Sequence, residues 1–338
     1  MRPQCGLGIE GERESFVNGK TIAVTGVSGL VGQVLLPYLE RDPEVNRVVG
    51  LDLRPLPDET LNQSITKLSF HQMDVRDPRA EGLLNGVDTL VHLAFVLFRA
   101  RRQKEEELDS INIQGTQGIC QAAARQGVRK LVILSSVMAY GMHPDNPIPL
   151  IEDVPLRPNS GNFYSRAKAL NEGYLDRFAT THPEMIITRL RGCTVVGPHA
   201  PPKQMAPLFS EPLLLVRGAD LPYQLLHEED AVRAIHWVIQ RDAPGVYNVA
   251  GDEPQTLRQL AQAHGVKTLA LPFFLVRAFL GLMWWLGLSP LGPEFADLAR
   301  YSLVVDTSKL RALGWQPQYT TQKAFAALRV AFRQRESG

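Results

Sequence analysis

The chain has 338 residues, enough for one large or two modest domains around a substantial apolar core. Its 36 basic and 35 acidic side chains are interleaved and give a formal net charge of +1, which speaks against a nucleic-acid partner. Three scattered cysteines, Cys5, Cys120 and Cys193, exclude a disulfide framework or a metal knuckle, so a reducing cytoplasm and no metal are expected.

Residues 1–19 are polar, lack an apolar signal core and read as a loose tail. The apolar run 21–25 predicts a strand and 30–41 a helix. The loop between them, Thr25-Gly26-Val27-Ser28-Gly29-Leu30-Val31-Gly32, turns one into the other through three glycines. Such a turn lets phosphates approach the backbone, and the N–H groups opening the helix favour negative charge. A second run, 47–51, ends in Asp52, near the spacing at which an acid meets a ribose hydroxyl in dinucleotide-binding folds. Loop and acid together predict dinucleotide binding, whereas the glycines alone would fit any tight turn.

Further strands are expected at 67–70, 89–93, 130–134 and 185–190, with helices at 78–85, 105–126 and 163–182. This alternation predicts an α/β fold with a doubly wound parallel sheet, whose ligand lies at the carboxyl ends of the strands. Gly26, Asp52, Asp74, Ala94 and Ser136 would converge there. The charged run 99–107 reads as a solvated loop and helix start, with a mobile flap as the lesser alternative.

After Arg191 the alternation decays among Pro198, Pro201, Pro202, Pro207 and Pro212. A helix at 228–241 and a strand at 245–249 are expected to rejoin the sheet. The dinucleotide-binding domain is therefore drawn as 20–195 plus about 222–250. The regions of about 196–221 and 251–338 form a smaller, mostly helical substrate-binding cap. Within that cap residues 269–288 are almost long enough to span a bilayer, but Arg277 and Pro272 make a spanning helix costly. A buried helix or a lid over an apolar substrate is the preferred reading, and interfacial membrane contact the lesser one.

Tyr164-Ser165-Arg166-Ala167-Lys168 sets a phenol and an ammonium four residues apart on one helix face. A nearby cation favours the phenolate, so the tyrosine is expected to serve as a base. The Ser135-Ser136 pair after the fifth strand would present a hydroxyl beside it. A surface tyrosine and a surface lysine are the plain alternative, since Tyr-x-x-x-Lys recurs by chance.

These segments, in this order, resemble the extended short-chain dehydrogenase/reductase family, which holds the NAD-dependent, UDP-galactose 4-epimerase-like epimerases and dehydratases. The resemblance runs over about residues 20–330. It rests on Thr25–Gly32, Asp52, Asp74-Val75, His92-Leu93-Ala94, the stretch from Ser135 to Gly141, Tyr164 to Lys168, Arg191, Gly197-Pro198, Leu226 to Asp230 and Leu313 to Pro317. It implies that Gly26, Ser28, Gly29, Leu30, Val31 and Gly32 cradle NAD, with NADP less favoured. It further implies that Asp52 binds the adenosine ribose, Asp74 and Val75 the adenine, and Leu93 and Ala94 the cofactor's middle. Tyr164 would be the acid/base, Lys168 would hold the nicotinamide ribose and depress the tyrosine pKa, and Ser136 would orient the reacting oxygen. Asn112 matches a family asparagine or simply packs its helix, while Arg191, His227 and Trp315 look architectural. The resemblance also implies a homodimer formed through the helices at 105–126 and 163–182.

Two departures narrow the chemistry. Dehydratases of the family carry an acidic pair just after the active-site hydroxyl, where this chain has Val137 and Met138. Tyr223 stands where sugar-nucleotide epimerases offer an arginine, and Gly192, Cys193 and Thr194 stand where an asparagine is common. The expected activity is thus an NAD-dependent, epimerase-like oxidation of a secondary alcohol, possible substrates including a sugar or sugar nucleotide. A dehydrogenase or reductase of a small apolar alcohol or carbonyl is the alternative. A non-catalytic dinucleotide sensor is a third reading, against which the reactive trio argues.

Overall fold

A computed structural model describes residues 19–61, 64–100, 103–202, 205, 208 and 211–337; all but Gly19 of the tail expected at 1–19, and part of the charged run, Arg101 and Arg102, lie outside them. The first strand, β1 (Lys20–Thr25), is flanked by β2 (Val45–Asp52) and β4 (Thr89–His92). Beyond β2 lies β3 (Leu68–Gln72), and beyond β4 lie β5 (Lys130–Ser136), β6 (Ile186–Gly192) and an outer strand at Gly245–Val249. All pairings in this seven-stranded sheet are parallel. The chain reverses direction across the sheet between β1 and β4, and ligands of doubly wound folds bind outside the strand ends at such a switch point.

Strand residues alternate between two cores, as a period of two requires. Ile22, Val24, Val48, Val91 and Val132 face one side, with helix α1 (Leu30–Arg41) and the helix Glu228–Ile239. Ala23, Val49, Leu90, Leu131 and Ile133 face the other, with the helices Gly115–Arg125 and Phe163–Thr181. Lys130, fully buried at the start of β5, donates to the carbonyls of Val238, Ile239 and Arg241. It thereby satisfies the otherwise unpaired end of the Glu228–Ile239 helix and complements its dipole.

Several boundaries move. The helix expected at 105–126 is three pieces: Glu105–Asp109, a π-helical turn Ser110–Gln114 and Gly115–Arg125. Strand β5 continues through Ser135 and Ser136 rather than stopping at Leu134, because both still pair with β6. The C-terminal part holds helices Leu257–Ala263, Phe273–Trp285, Ser308–Ala312 and Thr321–Ser337. Among the described residues, three two-stranded sheets that the sequence reading omitted link residues 194–227 with one another and with 255–271. Among these, Leu213–Val216 runs parallel to Thr268–Leu271.

Within residues 269–288 the observed helix is Phe273–Trp285, and it corrects the expectation of a buried helix: of its residues only Val276 is buried. Thirteen residues rise about 20 Å, short of a bilayer core. Among the described residues no helix is long and apolar enough to cross a membrane.

Candidate active site

The glycine loop opens the site. Gly26 has φ +74°, and a Cβ there would lie 2.5 Å from the Ala94 nitrogen, so only glycine lets β1 turn against the β4 loop. A Cβ on Gly32 would lie 2.5 Å from the Val27 carbonyl oxygen, which explains the third glycine as close helix-to-strand packing. Helix α1 begins after Gly29 with no side-chain cap, leaving its first N–H groups at the strand ends. The Leu30 and Val31 side chains pack into apolar clusters, so any contact they make with a cofactor would come from their backbone.

Asp52 closes β2 with its carboxylate aimed at this loop. Oδ2 accepts the Ser28 N–H at 3.0 Å, Oδ1 accepts the Arg54 N–H at 2.9 Å, and the Arg54 guanidinium lies 3.7 Å away. Each carboxylate oxygen keeps a second lone pair for a further donor. Asp74, beyond β3, is held by Arg76 through paired contacts of 2.9 and 2.6 Å. Those hydrogen bonds keep its carboxyl below the usual range. Val75 lies against Gly115, where a Cβ would come within 3.1 Å of it.

The loop after β4 is fastened by a buried network that sequence reasoning did not assemble. Asn112, wholly buried in the π-helical turn, accepts the Val96 N–H at 2.7 Å and donates to the Val96 carbonyl at 3.0 Å. Of its two sequence readings, neither named this clamp on the loop. His92 lies between the Thr25 and Thr116 hydroxyls at 2.7 and 2.9 Å. Burial first, and then the Lys168 charge, push its pKa down to about 3, so it stays neutral. The signal was present in His92-Leu93-Ala94, but the partners lie 67 and 24 residues away in the chain.

At the end of β5 the structure brings together Ser136, Tyr164 and Lys168. Asn162 caps their helix by accepting the Ser165 N–H at 2.9 Å. The Ser136 side chain hydrogen-bonds the Tyr164 phenol, which favours the phenolate, but burial dominates and raises the tyrosine to about 12. Burial also lowers Lys168 to about 7, against the opposing pull of Glu172. The Lys168 ammonium donates to the Leu134 carbonyl at 2.9 Å and lies 3.8 Å from the centre of the Phe95 ring. It is 5.7 Å from the centre of the Tyr164 ring. The expected lowering of the tyrosine pKa is not met here, because removal from water outweighs the Ser136 hydrogen bond.

Aromatic side chains wall the space beyond. Phe95 meets the Tyr164 ring edge-on at 5.4 Å, and Phe295 lies 6.2 Å from Phe98 and 6.4 Å from Phe163. Tyr223 donates its hydroxyl to the Leu298 carbonyl at 2.5 Å, and burial raises its pKa. Val137 and Met138 are buried in the turn after Ser136, whose Oγ accepts the Met138 N–H at 3.2 Å.

The remaining motif residues are structural. Arg191 binds the buried Glu172 at 3.0 Å and the Tyr140 hydroxyl at 2.9 Å. His227 caps its helix and stacks on Tyr319 at 3.6 Å, and Trp315 is core. Cys120 and Cys193 are buried free thiols, whose pKa burial pushes up to about 12.

A parallel sheet with this strand order, a glycine turn at its switch point and a serine–tyrosine–lysine group at the next strand ends define the architecture. The model of the NAD dependent epimerase/dehydratase family matches residues 22–250. The chain belongs to this family. It is 29% identical over 313 residues to an uncharacterized protein of Mycobacterium tuberculosis, covering 90% of this chain and 82% of that one. It is also 29% identical over 325 residues to a UDP-glucose 4-epimerase of Mycolicibacterium smegmatis, covering 92% and 97%. Among solved structures, UDP-glucuronic acid 4-epimerase from Bacillus cereus in complex with NAD aligns with TM-score 0.72 at 20% identity, over 93% of this chain and 99% of that one. That likeness establishes the shared fold.

Proposed function

We propose that this member of the family is an NAD-dependent, epimerase-like oxidoreductase that acts on a secondary alcohol or ketone of a sugar or sugar nucleotide. The observation that carries the proposal is the meeting of Ser136, Tyr164 and Lys168 at the end of β5, beside the Gly26–Gly32 turn. The residues suit a dinucleotide: Gly26 leaves a cradle that a Cβ would fill, α1 offers uncapped N–H groups, and Asp52 retains free lone pairs. NAD, when bound, supplies the hydride acceptor and donor.

The chain's own residues supply proton transfer and orientation. At about 12 the Tyr164 phenol is protonated at neutral pH and fit to donate to a carbonyl oxygen. In the oxidising direction the phenol must give up its proton to act as a base. The Ser136 hydrogen bond favours that form, and so would the Lys168 charge on moving from Leu134 and Phe95 toward the phenol. Ser136 can also hold the reacting oxygen beside Tyr164. We assign substrate binding to about 196–221 and 251–338, and a homodimer through the helices at 105–126 and 163–182, which light scattering on the purified protein tests.

The aromatic wall of Phe95, Phe98, Phe163 and Phe295 supports a second reading, a dehydrogenase or reductase of a small apolar alcohol or carbonyl. One experiment addresses both: purified protein is offered NAD with nucleotide sugars, sugars and apolar alcohols, and absorbance and product configuration are followed. Turnover is expected on at least one secondary alcohol. Tyr164→Phe should lower it by about a hundredfold to ten-thousandfold while NAD still binds. Full turnover in that variant would reject Tyr164 as the acid/base.

A further inference from the structure

The Phe273–Trp285 helix carries a surface that folding leaves open. Phe274, Leu282 and Trp285 expose 68%, 53% and 59% of their area, and Leu275, Phe279 and Leu286 are exposed with them. Their spacing is that of one helical face, so they form a single apolar stripe. On its other side the helix rests on the turn Pro293–Ala299 and the strand Leu213–Val216. Monomeric soluble proteins seldom leave so continuous an apolar face in water.

The charged side chains that touch the helix are arginines, one of which, Arg99, is itself paired with Glu105 at 3.4 Å. Between Lys267 and Glu294 the sequence holds a single charged side chain, Arg277, which is exposed near the middle of the helix. Arg300 lies over the Phe273 ring at 4.9 Å and Arg99 over the Trp284 ring at 5.1 Å, placing a cation near each end. Arg217, also exposed, follows the strand beneath and donates its N–H to the Leu271 carbonyl at 2.8 Å. The nearest acids in the chain, Glu294 and Asp297, are half-buried in the turn under the helix.

We propose that this helix docks the protein on an anionic lipid surface, with the stripe at the acyl boundary and the arginines among the headgroups. The combination is that of an interfacial helix: an apolar face, surrounding cations, and tryptophans at one end, where an amphipathic ring suits the headgroup level. A second copy of the chain is a poorer occupant. A two-fold contact centred on the helix would bring Arg277 against its own copy with no acid on either helix. The turn that supports the helix also holds Phe295 and the Leu298 carbonyl that accepts Tyr223, so docking would set the roof of the candidate site at the lipid surface.

Vesicle flotation of the full chain tests the proposal without any substrate. The protein should float with phosphatidylcholine vesicles containing phosphatidylglycerol and far less with phosphatidylcholine alone. Arg277→Gln should weaken binding to the anionic vesicles by about fivefold. The pair Phe279→Ser and Leu282→Ser should weaken it by about a hundredfold. Brominated lipid should quench tryptophan emission of the wild-type protein, a measurement that holds even if a variant fails to fold. Absence of flotation and quenching, equal binding to neutral vesicles, or insensitivity to both changes would overturn the proposal. So would self-association lost on the serine changes in a protein that ignores vesicles.

Discussion

Lys168 shows how one buried side chain couples the site to stability. Burial lowers its pKa to about 7, whereas an unfolded chain keeps the ammonium up to its ordinary value of 10.5. Between those limits the unfolded chain binds more protons, so stability rises with pH and is lost as pH falls toward 7. His92, Tyr164 and Glu172 surround the group; Tyr164 stays protonated and His92 neutral in that window. Denaturant melts from pH 7.5 to 9.5 should show wild type gaining on Lys168→Met by up to about 1.4 kcal/mol per pH unit. A constant difference would mean that Lys168 keeps an ordinary pKa. Asp52 is the second residue-scale case. Its carboxylate should repel a 2′-phosphate by about 1–4 kcal/mol at contact distance, so NAD should bind more tightly than NADP. Arg54, 3.7 Å from Asp52, blunts that preference without reversing it. Calorimetric titration with both nucleotides decides the matter, and tighter NADP binding would reject the role given to Asp52.

Among the elements, the π-helical turn Ser110–Gln114 is the one whose geometry matters most to the site. It places Asn112 in register with both polar groups of the Val96 backbone. Asn112→Ala would leave the part-buried Val96 N–H and carbonyl without this partner and should cost about 1–3 kcal/mol in all. Asn112→Asp keeps the acceptor and loses the donor, so it should fall between alanine and wild type. Thermal melts give the order, and equal stability of all three would remove the clamp from this account. The helix expected at 105–126 was legible from its periodicity, but its division was not. A π turn keeps the same apolar residues and changes only which carbonyl each N–H meets. The exposure of the Phe273–Trp285 helix was hidden for a related reason. Composition marks it as apolar but cannot say which face finds a partner.

For the whole molecule, the turn following Ser136 separates the chemistries available to the fold. Val137 and Met138 are buried there, and neither an isopropyl group nor a thioether can give a proton to a departing hydroxyl. The enzyme should therefore oxidise and reduce alcohols without eliminating water. Incubation with NAD and a panel of nucleotide-diphosphate hexoses, followed by mass spectrometry, should yield no 4-keto-6-deoxy product. Clear loss of water from any of them would overturn this reading. Much of that architecture was legible from local rules. Period-two strands between helices require a covered parallel sheet, and the glycines at 26 and 32 mark where a Cβ would strike Ala94 or Val27. The strand period and the Gly32–Val27 approach belong to neighbours in the chain, so the sequence alone determined them, whereas Gly26 meets Ala94 only once β1 and β4 lie side by side. Tertiary structure alone decided the pairing of Asn112 with Val96 and of His92 with Thr25 and Thr116. It also decided how far Tyr164 and Lys168 shift, and in which direction, because desolvation depends on everything packed around a charge. The four-residue spacing of Tyr164 and Lys168 fixed a shared helix face, but only the folded surroundings turned the ammonium toward Leu134 and Phe95.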